Sequence, residues 1–263
     1  MAMTNPVYFY GPAIGFLVGG IVAATGVGGG VLLLPLQMAG LHIHPIVAVG
    51  SDVTFMFFTK LWATMLNWKR GTVDSRLALA LLTGSIPGGL LGIGLLYFLR
   101  LRWGGHGVNS FLRATIGLLL VVIPIFTLVM DRIKARVVSS PPKLSSPQRR
   151  RGKASLIGLL GGFMVGLTSV GSGSVIILLL FLFYRRSTTV LIGTDIIHGM
   201  VLSGMLGLIH LHMHQVDLLL IGLMMAGAVI GVPLGLKLTT LIPSIWLRRA
   251  VLLLLIPMGI KLL

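Results

Sequence analysis

The sequence predicts an all-α integral membrane protein built from two tandem repeats of about five segments each. Three observations support this fold class. The 263-residue chain has a mean hydropathy of +1.02 and only 10 % charged residues, whereas soluble domains carry roughly 25 %. Its apolar residues fall into ten segments, and the second half of the sequence repeats the first. Such a chain is expected to bury its apolar surface in lipid.

The ten apolar segments differ in length. A membrane-spanning helix needs about 20 mostly apolar residues. Five segments reach this length comfortably: 45–67, 76–99, 111–130, 189–209 and 216–238. The last segment, 246–263, is close to full length. Four segments are shorter and interrupted by glycine: 11–25, 28–40, 154–169 and 173–184. We therefore expect pairs of glycine-broken short helices at the centre of the protein.

Composition and charge placement exclude several classes of protein. The chain has no cysteine, which rules out disulfides, thiolate metal sites and a cysteine nucleophile. No Lys or Arg precedes the first apolar segment, so a cleavable signal peptide is not expected. Eight of the 21 basic residues lie in Arg132–Lys153, a Ser/Pro-rich stretch that we interpret as an extended linker. Basic residues beside membrane helices indicate topology and contact with anionic lipids rather than nucleic-acid binding.

The second half of the chain repeats the first at an offset of 143 residues, without a gap. TGVGGG (25–30) aligns with TSVGSG (168–173), and VGSD (49–52) aligns with IGTD (192–195). Asp74 aligns with Asp217. The aligned glycines are Gly15 with Gly158, Gly19 with Gly162, Gly84 with Gly227, Gly88 with Gly231, and Gly92 with Gly235. Agreement at one offset indicates an internal repeat.

The repeat divides the chain into a first transmembrane repeat (1–130), a basic linker (131–153) and a second transmembrane repeat (154–263). Five is an odd number, so if every segment crosses, the second repeat enters the membrane from the opposite side. The positive-inside rule places the linker in the cytoplasm, which predicts a multi-pass protein of the cytoplasmic membrane. Arg100, Arg102 and Arg113 fall on the other side, against this rule.

Two glycine loops, 25–30 and 168–174, interrupt the short segments of the two repeats. Inverted repeats with broken helices are typical of secondary transporters, whose substrates bind where half-helices meet. Backbone N–H groups at the start of a half-helix form an anion site. The expected substrate-binding residues are Thr25, Gly28, Gly29, Gly30, Thr168, Gly171, Ser172, Gly173 and Ser174. The structural alternative is that glycines let helices pack closely, which we favour for Gly19, Gly88 and Gly231.

Four ionisable residues lie inside apolar segments: Asp52, Lys60, Asp195 and His198. An ionised Asp or Lys at a helix centre costs about 2.5–3.5 kcal/mol, so each needs a partner. Asp52 and Lys60 are separated by about 12 Å of helix, whereas Asp195 and His198 are i,i+3 neighbours that suit a proton relay. We expect all four to serve coupling. Alternatively, Lys60 extends to the interface, and either Asp caps a broken helix.

The histidines of HLHMH (210–214) invite a metal-site interpretation. Their alternating spacing does not place three imidazoles on one helical face, and Asp217 is the nearest carboxylate. We therefore expect this stretch to close a loop outside the membrane, without a metal ion.

The ordered motifs of both repeats resemble the sulfite exporter TauE/SafE family. The first-half motifs are GFLVGGIVAATGVGGGVLLLPL, VGSDVTFMFFTK and NWKRGTVDSRLALALLTGSIPGGLLG. The second-half motifs are GLTSVGSGSVIILLLFLF, IGTDIIHGM and GLIHLHMHQVDLLLIGLMMAGAVIGVPLG. The likeness covers nearly the whole chain except the linker. Many family members read Gly-Thr-Ser where this chain has Gly-Ser-Asp and Gly-Thr-Asp, so the chain resembles an aspartate-containing branch.

The resemblance implies transmembrane movement of a small sulfur-containing anion such as sulfite, thiosulfate or an organosulfonate. The residues agree with an anion carrier, with protons as a candidate coupling ion and no cofactor, but they do not identify sulfur. Two alternatives remain open. One is a proton-coupled carrier of another small anion such as a carboxylate. The other is an intramembrane serine protease that uses Ser172 or Ser174 with His198 as base, although a carrier, not an enzyme, is the interpretation we favour.

Overall fold

The computed structural model describes residues 6–25, 28–67, 73–137, 147–171, 173, 175–184, 187–241 and 244–263. Within these residues the chain is helical almost throughout and forms no strand. Four helices in the described residues are long and apolar enough to cross a membrane, and shorter apolar helices accompany them. The prediction of an all-α membrane protein is therefore confirmed.

Ten α-helices follow one another in the described parts of the chain. They are α1 (Pro6–Phe9), α2 (Gly11–Thr25), α3 (Gly29–Pro35), α4 (Pro45–Asn67), α5 (Ser75–Val137), α6 (Pro147–Thr168), α7 (Val175–Phe183), α8 (Thr188–His212), α9 (Leu218–Leu241) and α10 (Ser244–Leu262). A π-helical turn, Leu36–Gly40, continues α3. The described helices that correspond at the 143-residue offset are α2 with α6, α3 with α7, α4 with α8, and α5 with α9.

Helix α5 contains two predicted segments, 76–99 and 111–130, joined by a break at Gly104. Gly104 has φ 69° and ψ −177°, a combination that only glycine adopts without a Cβ penalty. The predicted connection is therefore mostly helical, because nothing but the glycine interrupts it. The described ends of the predicted linker, residues 131–153, are helical rather than extended. Helix α5 runs to Val137 and α6 begins at Pro147, since Lys and Arg are good helix formers and proline suits a first helical turn. The middle of the linker, 138–146, lies outside the described residues.

Asp74 and Asp217, which align at the repeat offset, begin equivalent helices in the same way. Each carboxylate accepts a hydrogen bond from the backbone N–H three residues later, at 3.1 Å and 3.0 Å, as helix N-caps do. The backbone N–H of Asp217 donates to Ser51 Oγ in the first repeat at 2.8 Å, and that of Asp74 donates to Thr194 Oγ1 in the second at 3.0 Å. Each repeat therefore supports the start of a helix in the other.

The equivalent helices α4 and α8 pack against each other in an antiparallel orientation. Gly207 of α8 faces Thr54 of α4, and Gly199 faces Lys60. Residue numbers thus fall along one helix as they rise along the other. Two helices that correspond in sequence and run in opposite directions are what an inverted repeat requires.

The first helix of each repeat packs along a helix of the other repeat. A Cβ on Gly15 would overlap the backbone of Met224 in α9, and a Cβ on Gly158 would overlap the carbonyl of Leu81 in α5. Both residues of the second pair are related to the first by the repeat offset. Three more contact pairs are related in the same way: Gly84–Ser155 with Gly227–Pro12, Gly88–Leu159 with Gly231–Phe16, and Gly92–Phe163 with Gly235–Gly20. These glycines bring helix backbones into direct contact, as small residues do in membranes.

Helices α2 and α3 form a first hairpin. The start of α2 and the end of α3 lie at the same end of the α4–α8 pair. At its start, Tyr8 Oη donates to Asp217 at 3.1 Å. After it, Gly50 in α4 abuts the carbonyl of Gln215. Both contacts lie beside the start of α9. A 15-residue helix is only about 22 Å long, short of the roughly 30 Å of hydrocarbon, so this hairpin does not cross the membrane twice.

Helices α6 and α7 form the equivalent second hairpin at the opposite end. Gly84, near the start of α5, contacts Ser155 in α6, and Thr194 in α8 bonds Asp74, also at the start of α5. The sequence argument for inversion held if every segment crosses, and the two hairpins do not meet that condition. In the first repeat α4 and the two parts of α5 provide three crossings, which is still an odd number. The argument for inversion is unchanged.

One further expectation changes. His210 was predicted to lie in a loop, but α8 continues to His212, because the apolar pattern of the helix extends that far. The His210 side chain is buried, with its Nδ1 2.8 Å from Gln215 Oε1.

Arg113 Nε donates to the Leu262 carbonyl at 3.3 Å. Arg113 thereby satisfies a carbonyl at the end of α10, a structural role for a residue that violates the positive-inside rule.

Candidate functional site

The tips of the two hairpins meet inside the protein. A Cβ on Gly30, in the first glycine loop, would lie 2.6 Å from the carbonyl oxygen of Ser169 in the second and 2.9 Å from Oδ2 of Asp52. The Ser169 hydroxyl donates a hydrogen bond to that same carboxylate oxygen. All three residues are buried. The two predicted loops are therefore in contact, and Asp52 lies at their junction.

Asp195 has the corresponding position in its own repeat. The backbone of Gly173, which aligns with Gly30, lies beside the Asp195 carboxylate. The second loop has a strained backbone, with φ of 60° at Ser169, 152° at Gly171 and 85° at Gly173. Glycine adopts these angles without penalty, whereas a serine in this region is uncommon. The sequence TSVGSG therefore ends α6 sharply and turns the chain into α7.

The first loop presents a backbone donor with a weak partner. The N–H of Gly29, at the start of α3, donates to Met56 Sδ at 3.0 Å, and a thioether sulfur is a weak acceptor. The preceding residue, Gly28, takes an extended conformation and makes no side-chain cap. A stronger acceptor would compete with Met56 for this N–H group.

The two aligned threonines use their hydroxyl hydrogens within their own helices. Thr25 Oγ1 donates to the Ile21 carbonyl at 2.7 Å, and Thr168 Oγ1 donates to the Met164 carbonyl at 2.8 Å. Both threonines are buried beside the loops, as expected. In this conformation they offer acceptor lone pairs rather than donors. The two predicted serines of the second loop, Ser172 and Ser174, lie outside the described residues.

Lys60 points into the protein and pairs with the second repeat. Its Nζ lies 3.8 Å from Oδ2 of Asp195, and both side chains are buried. Lys60 also interacts electrostatically with Asp52. Its stem passes over Gly199, where a Cβ would overlap the ammonium group. The interfacial alternative for Lys60 does not describe this structure.

His198 completes a polar cluster that we call the lysine cluster: Lys60, Asp195, His198 and Ser85. The Nε2 atom of His198 lies 2.8 Å from Ser85 Oγ in α5, and its Nδ1 lies 4.0 Å from Asp195 Oδ1, which is beyond hydrogen-bond distance. The Asp195 carboxylate has the ammonium group of Lys60 as its ion-pair partner and the backbone of Gly173 beside it. The cluster therefore joins three helices through one hydrogen bond and one ion pair.

The lysine cluster, which contains residues of both repeats, has no counterpart at the repeat-related positions. The residues that align with Lys60, His198 and Ser85 are Ser203, Phe55 and Ala228. Asp52 therefore has a serine partner from the opposite loop, whereas Asp195 has a lysine. Asp52 and Lys60 are about 12 Å apart along α4, so the two carboxylates occupy separate positions linked by the Lys60 side chain. The repeat produces two similar carboxylates in different electrostatic surroundings.

Three residues at the site were not among the predicted ones: Ser169, Met56 and Ser85. Ser169 aligns with Gly26, and a serine in place of a loop glycine was the signal available for it. Met56 and Ser85 reach the site from neighbouring helices, and nothing in their local sequence marks them. Only the helix packing brings them to the glycine loop and to His198.

Comparison with known proteins agrees with this architecture. The profile of the family described as sulfite exporter TauE/SafE matches residues 12–262. The probable membrane transporter protein YjnA of Bacillus subtilis strain 168 is 32 % identical over 222 residues, which cover 84 % of this chain and 86 % of the relative. The probable membrane transporter protein YdhB of the same organism is 24 % identical over 242 residues, 90 % of this chain and 92 % of the relative. No solved structure gives a significant match. The chain therefore belongs to the sulfite exporter TauE/SafE family and is a multi-pass membrane transporter.

Proposed function

We propose that the protein is a secondary transporter that carries a small sulfur-containing anion, such as sulfite, thiosulfate or an organosulfonate, across the cytoplasmic membrane. The observation that carries the proposal is the contact of the two glycine loops at Gly30 and Ser169, beside buried Asp52. Non-helical backbone at membrane depth is tolerated where it lines a cavity or is buried in protein. Meeting half-helices form the substrate sites of many secondary transporters.

The chemistry of this junction suits an oxyanion. The Gly29 N–H now bonds only the weak acceptor Met56 Sδ among the described residues, so a charged oxygen is a better partner for it. Lys60 brings a buried positive charge to the same helix as Asp52. The planar guanidinium of an arginine would favour a planar carboxylate. A compact pyramidal or tetrahedral anion does not need such a partner. Membership of the family favours sulfur as the central atom.

We further propose that a proton accompanies the anion. With both carboxylates ionised and His198 neutral, Asp52, Asp195 and Lys60 together carry one uncompensated negative charge. Burying such a charge is costly by several kcal/mol, and an incoming anion would add another. One proton on a carboxyl group removes the imbalance before the anion enters. Anion and proton are therefore expected to bind together and to cross together.

Flux into proteoliposomes tests this function. Purified protein should carry sulfite or an organosulfonate inward, and the lumen should acidify at the same time, as reported by an enclosed pH-sensitive dye. Asp52→Asn and Asp195→Asn should each abolish the pH dependence of flux. Asp217→Asn is the matched control, because Asp217 caps α9 and accepts a hydrogen bond from Tyr8, and Asn caps helices equally well and keeps an acceptor oxygen. It should transport as the wild type does.

The same assay separates the alternatives. Transport of acetate but not of the sulfur anions would contradict the cargo and leave the carrier. Flux with an unchanged pH profile in both Asn variants would contradict proton coupling and reduce both aspartates to structural groups. The combined variant Gly29→Leu, Gly173→Leu should stop transport, since both loops lose their glycine. Full flux in that variant would overturn the placement of the site.

A further inference from the structure

A groove of about 440 Å³ lies between α2 and α9. Its lining is apolar except for one lysine: Phe16, Leu17, Gly20, Ile21, Gly231, Leu234, Gly235, Lys237 and Leu238. Leu17 and Leu234 are 59 % and 50 % exposed. Because both belong to apolar helices of a membrane protein, the exposed groove opens sideways toward lipid.

The groove exists because two glycines bring the helix backbones together and leave no side chain above them. A Cβ on Gly235 would overlap the carbonyl of Gly20, and a Cβ on Gly231 would overlap that of Phe16. The floor of the groove is therefore helix backbone that cannot separate without breaking the α2–α9 packing. Its shape is fixed in the absence of any ligand.

The internal repeat provides a built-in comparison. At the 143-residue offset, Gly20 corresponds to Phe163 and Lys237 corresponds to Gly94. The backbone contact is the same in both repeats, since Gly92 abuts Phe163 as Gly235 abuts Gly20. The repeat-related interface between α6 and α5 thus carries a phenyl side chain where the α2–α9 interface has a glycine that lines the groove. It has a glycine where the α2–α9 interface has the lysine, so the small residue and the charge occur together at the α2–α9 interface.

We propose that this groove binds an anionic glycerophospholipid, with one acyl chain along the glycine floor and the headgroup phosphate at Lys237. Lys237 lies four residues before the end of α9, so its exposed side chain reaches the interfacial region, where lysines meet anionic headgroups. The adjoining walls, Leu17, Leu234 and Leu238, are the surface that an acyl chain covers. A second protein copy would need a complementary acidic group, and the chain has only five acidic side chains. Asp52 and Asp195 are buried, Asp74 and Asp217 cap helices, and Asp131 adjoins Arg132 in the basic linker.

Native mass spectrometry of the full chain in detergent, titrated with phosphatidylglycerol or phosphatidylcholine, tests the proposal. The wild type should retain one phosphatidylglycerol more tightly than phosphatidylcholine. Lys237→Gln should weaken phosphatidylglycerol binding about fivefold, as expected for one lysine at a lipid surface, and make the two lipids equal. Gly20→Phe, which copies the other repeat, should remove the bound lipid. Lys261→Gln, at an exposed lysine outside the groove, should bind as the wild type does.

Three results would overturn the assignment. One is equal retention of the two lipids by the wild type. Another is tight phosphatidylglycerol binding in both Lys237→Gln and Gly20→Phe. The third is a dimer mass in the wild type that disappears in Gly20→Phe without any change in lipid retention, which would assign the groove to a second copy. If Gly20→Phe does not fold, the comparison of Lys237→Gln with Lys261→Gln still decides, because both positions are exposed.

Discussion

The ammonium group of Lys60 in the first repeat lies 3.8 Å from the carboxylate of Asp195 in the second, with both side chains buried. This ion pair joins α4 to α8. The two repeats differ in chemistry at this point, because Ser203 aligns with Lys60. The pair can be tested apart from transport, through stability.

Removing one member of the pair should destabilise the protein more than removing both. Lys60→Met leaves Asp195 as a buried charge without its lysine, which costs about 3–5 kcal/mol. The double variant Lys60→Met, Asp195→Asn should recover part of that loss. Chemical unfolding in mixed micelles measures the coupling energy as a double-mutant cycle. Additive losses would show that the two groups do not interact in the folded protein.

A methyl group at Gly199 should displace Lys60. A Cβ there would overlap the Lys60 ammonium group, so Gly199→Ala is expected to cost about 1–3 kcal/mol and to lower anion flux. Gly222→Ala is the matched control, because a Cβ at Gly222 meets nothing within 4 Å. Added to Lys60→Met, Gly199→Ala should have little further effect on stability. A full additional loss would place the strain elsewhere than on Lys60.

Equivalent glycines should respond equally to the same change. Gly15→Ala and Gly158→Ala each drive a Cβ into a backbone carbonyl, on Met224 and on Leu81, and backbone cannot move aside as a side chain can. We expect each to lower the thermal midpoint by several degrees, as about 1–3 kcal/mol of overpacking does in a chain of this size. Gly94→Ala, in open space, should leave the midpoint unchanged. Loss at one position alone would contradict equivalent packing.

The topology prediction can be tested on the native background, which contains no cysteine. Gly152→Cys and His212→Cys place single thiols at exposed positions near the starts of α6 and α9. The inverted arrangement and the positive-inside rule place Gly152 in the cytoplasm and His212 outside. In intact cells an impermeant maleimide should label only the second. Labelling of both from outside would contradict the inversion.

The parts of the fold that depend on pattern could be predicted from the sequence. The apolar segments, the 143-residue repeat and the close-packing glycines Gly88 and Gly231 follow from composition and spacing alone. Whether the short segments cross the membrane could not be predicted, because an apolar run of 12 to 16 residues does not show whether the chain continues or turns back. Turning back is visible only in contacts such as Tyr8 with Asp217, which are distant in sequence.

The sequence predicted which loops and charged residues form the candidate site, but not which of these residues contact one another. Asp52 and Asp195 stood out because an acidic residue in an apolar segment is costly. Which carboxylate would receive Lys60 could not be read from the sequence. The lysine shares its helix with Asp52, yet a helix holds the two side chains about 12 Å apart. Antiparallel packing of α4 on α8 gives the lysine to Asp195 instead.

The exchange of glycine contacts between the repeats has a consequence for biosynthesis. The Gly15 face of α2 has its backbone partner in α9, which the ribosome makes last among the long helices. Until α9 has been synthesised, this face of the first repeat therefore has to be covered by lipid or by a chaperone. A half-length polypeptide would meet the same need only by pairing with a copy inserted upside down. In the predicted inverted topology, one continuous chain with a basic linker supplies the two repeats in opposite membrane orientations and in equal numbers. Each first repeat then packs against the second repeat of the same molecule.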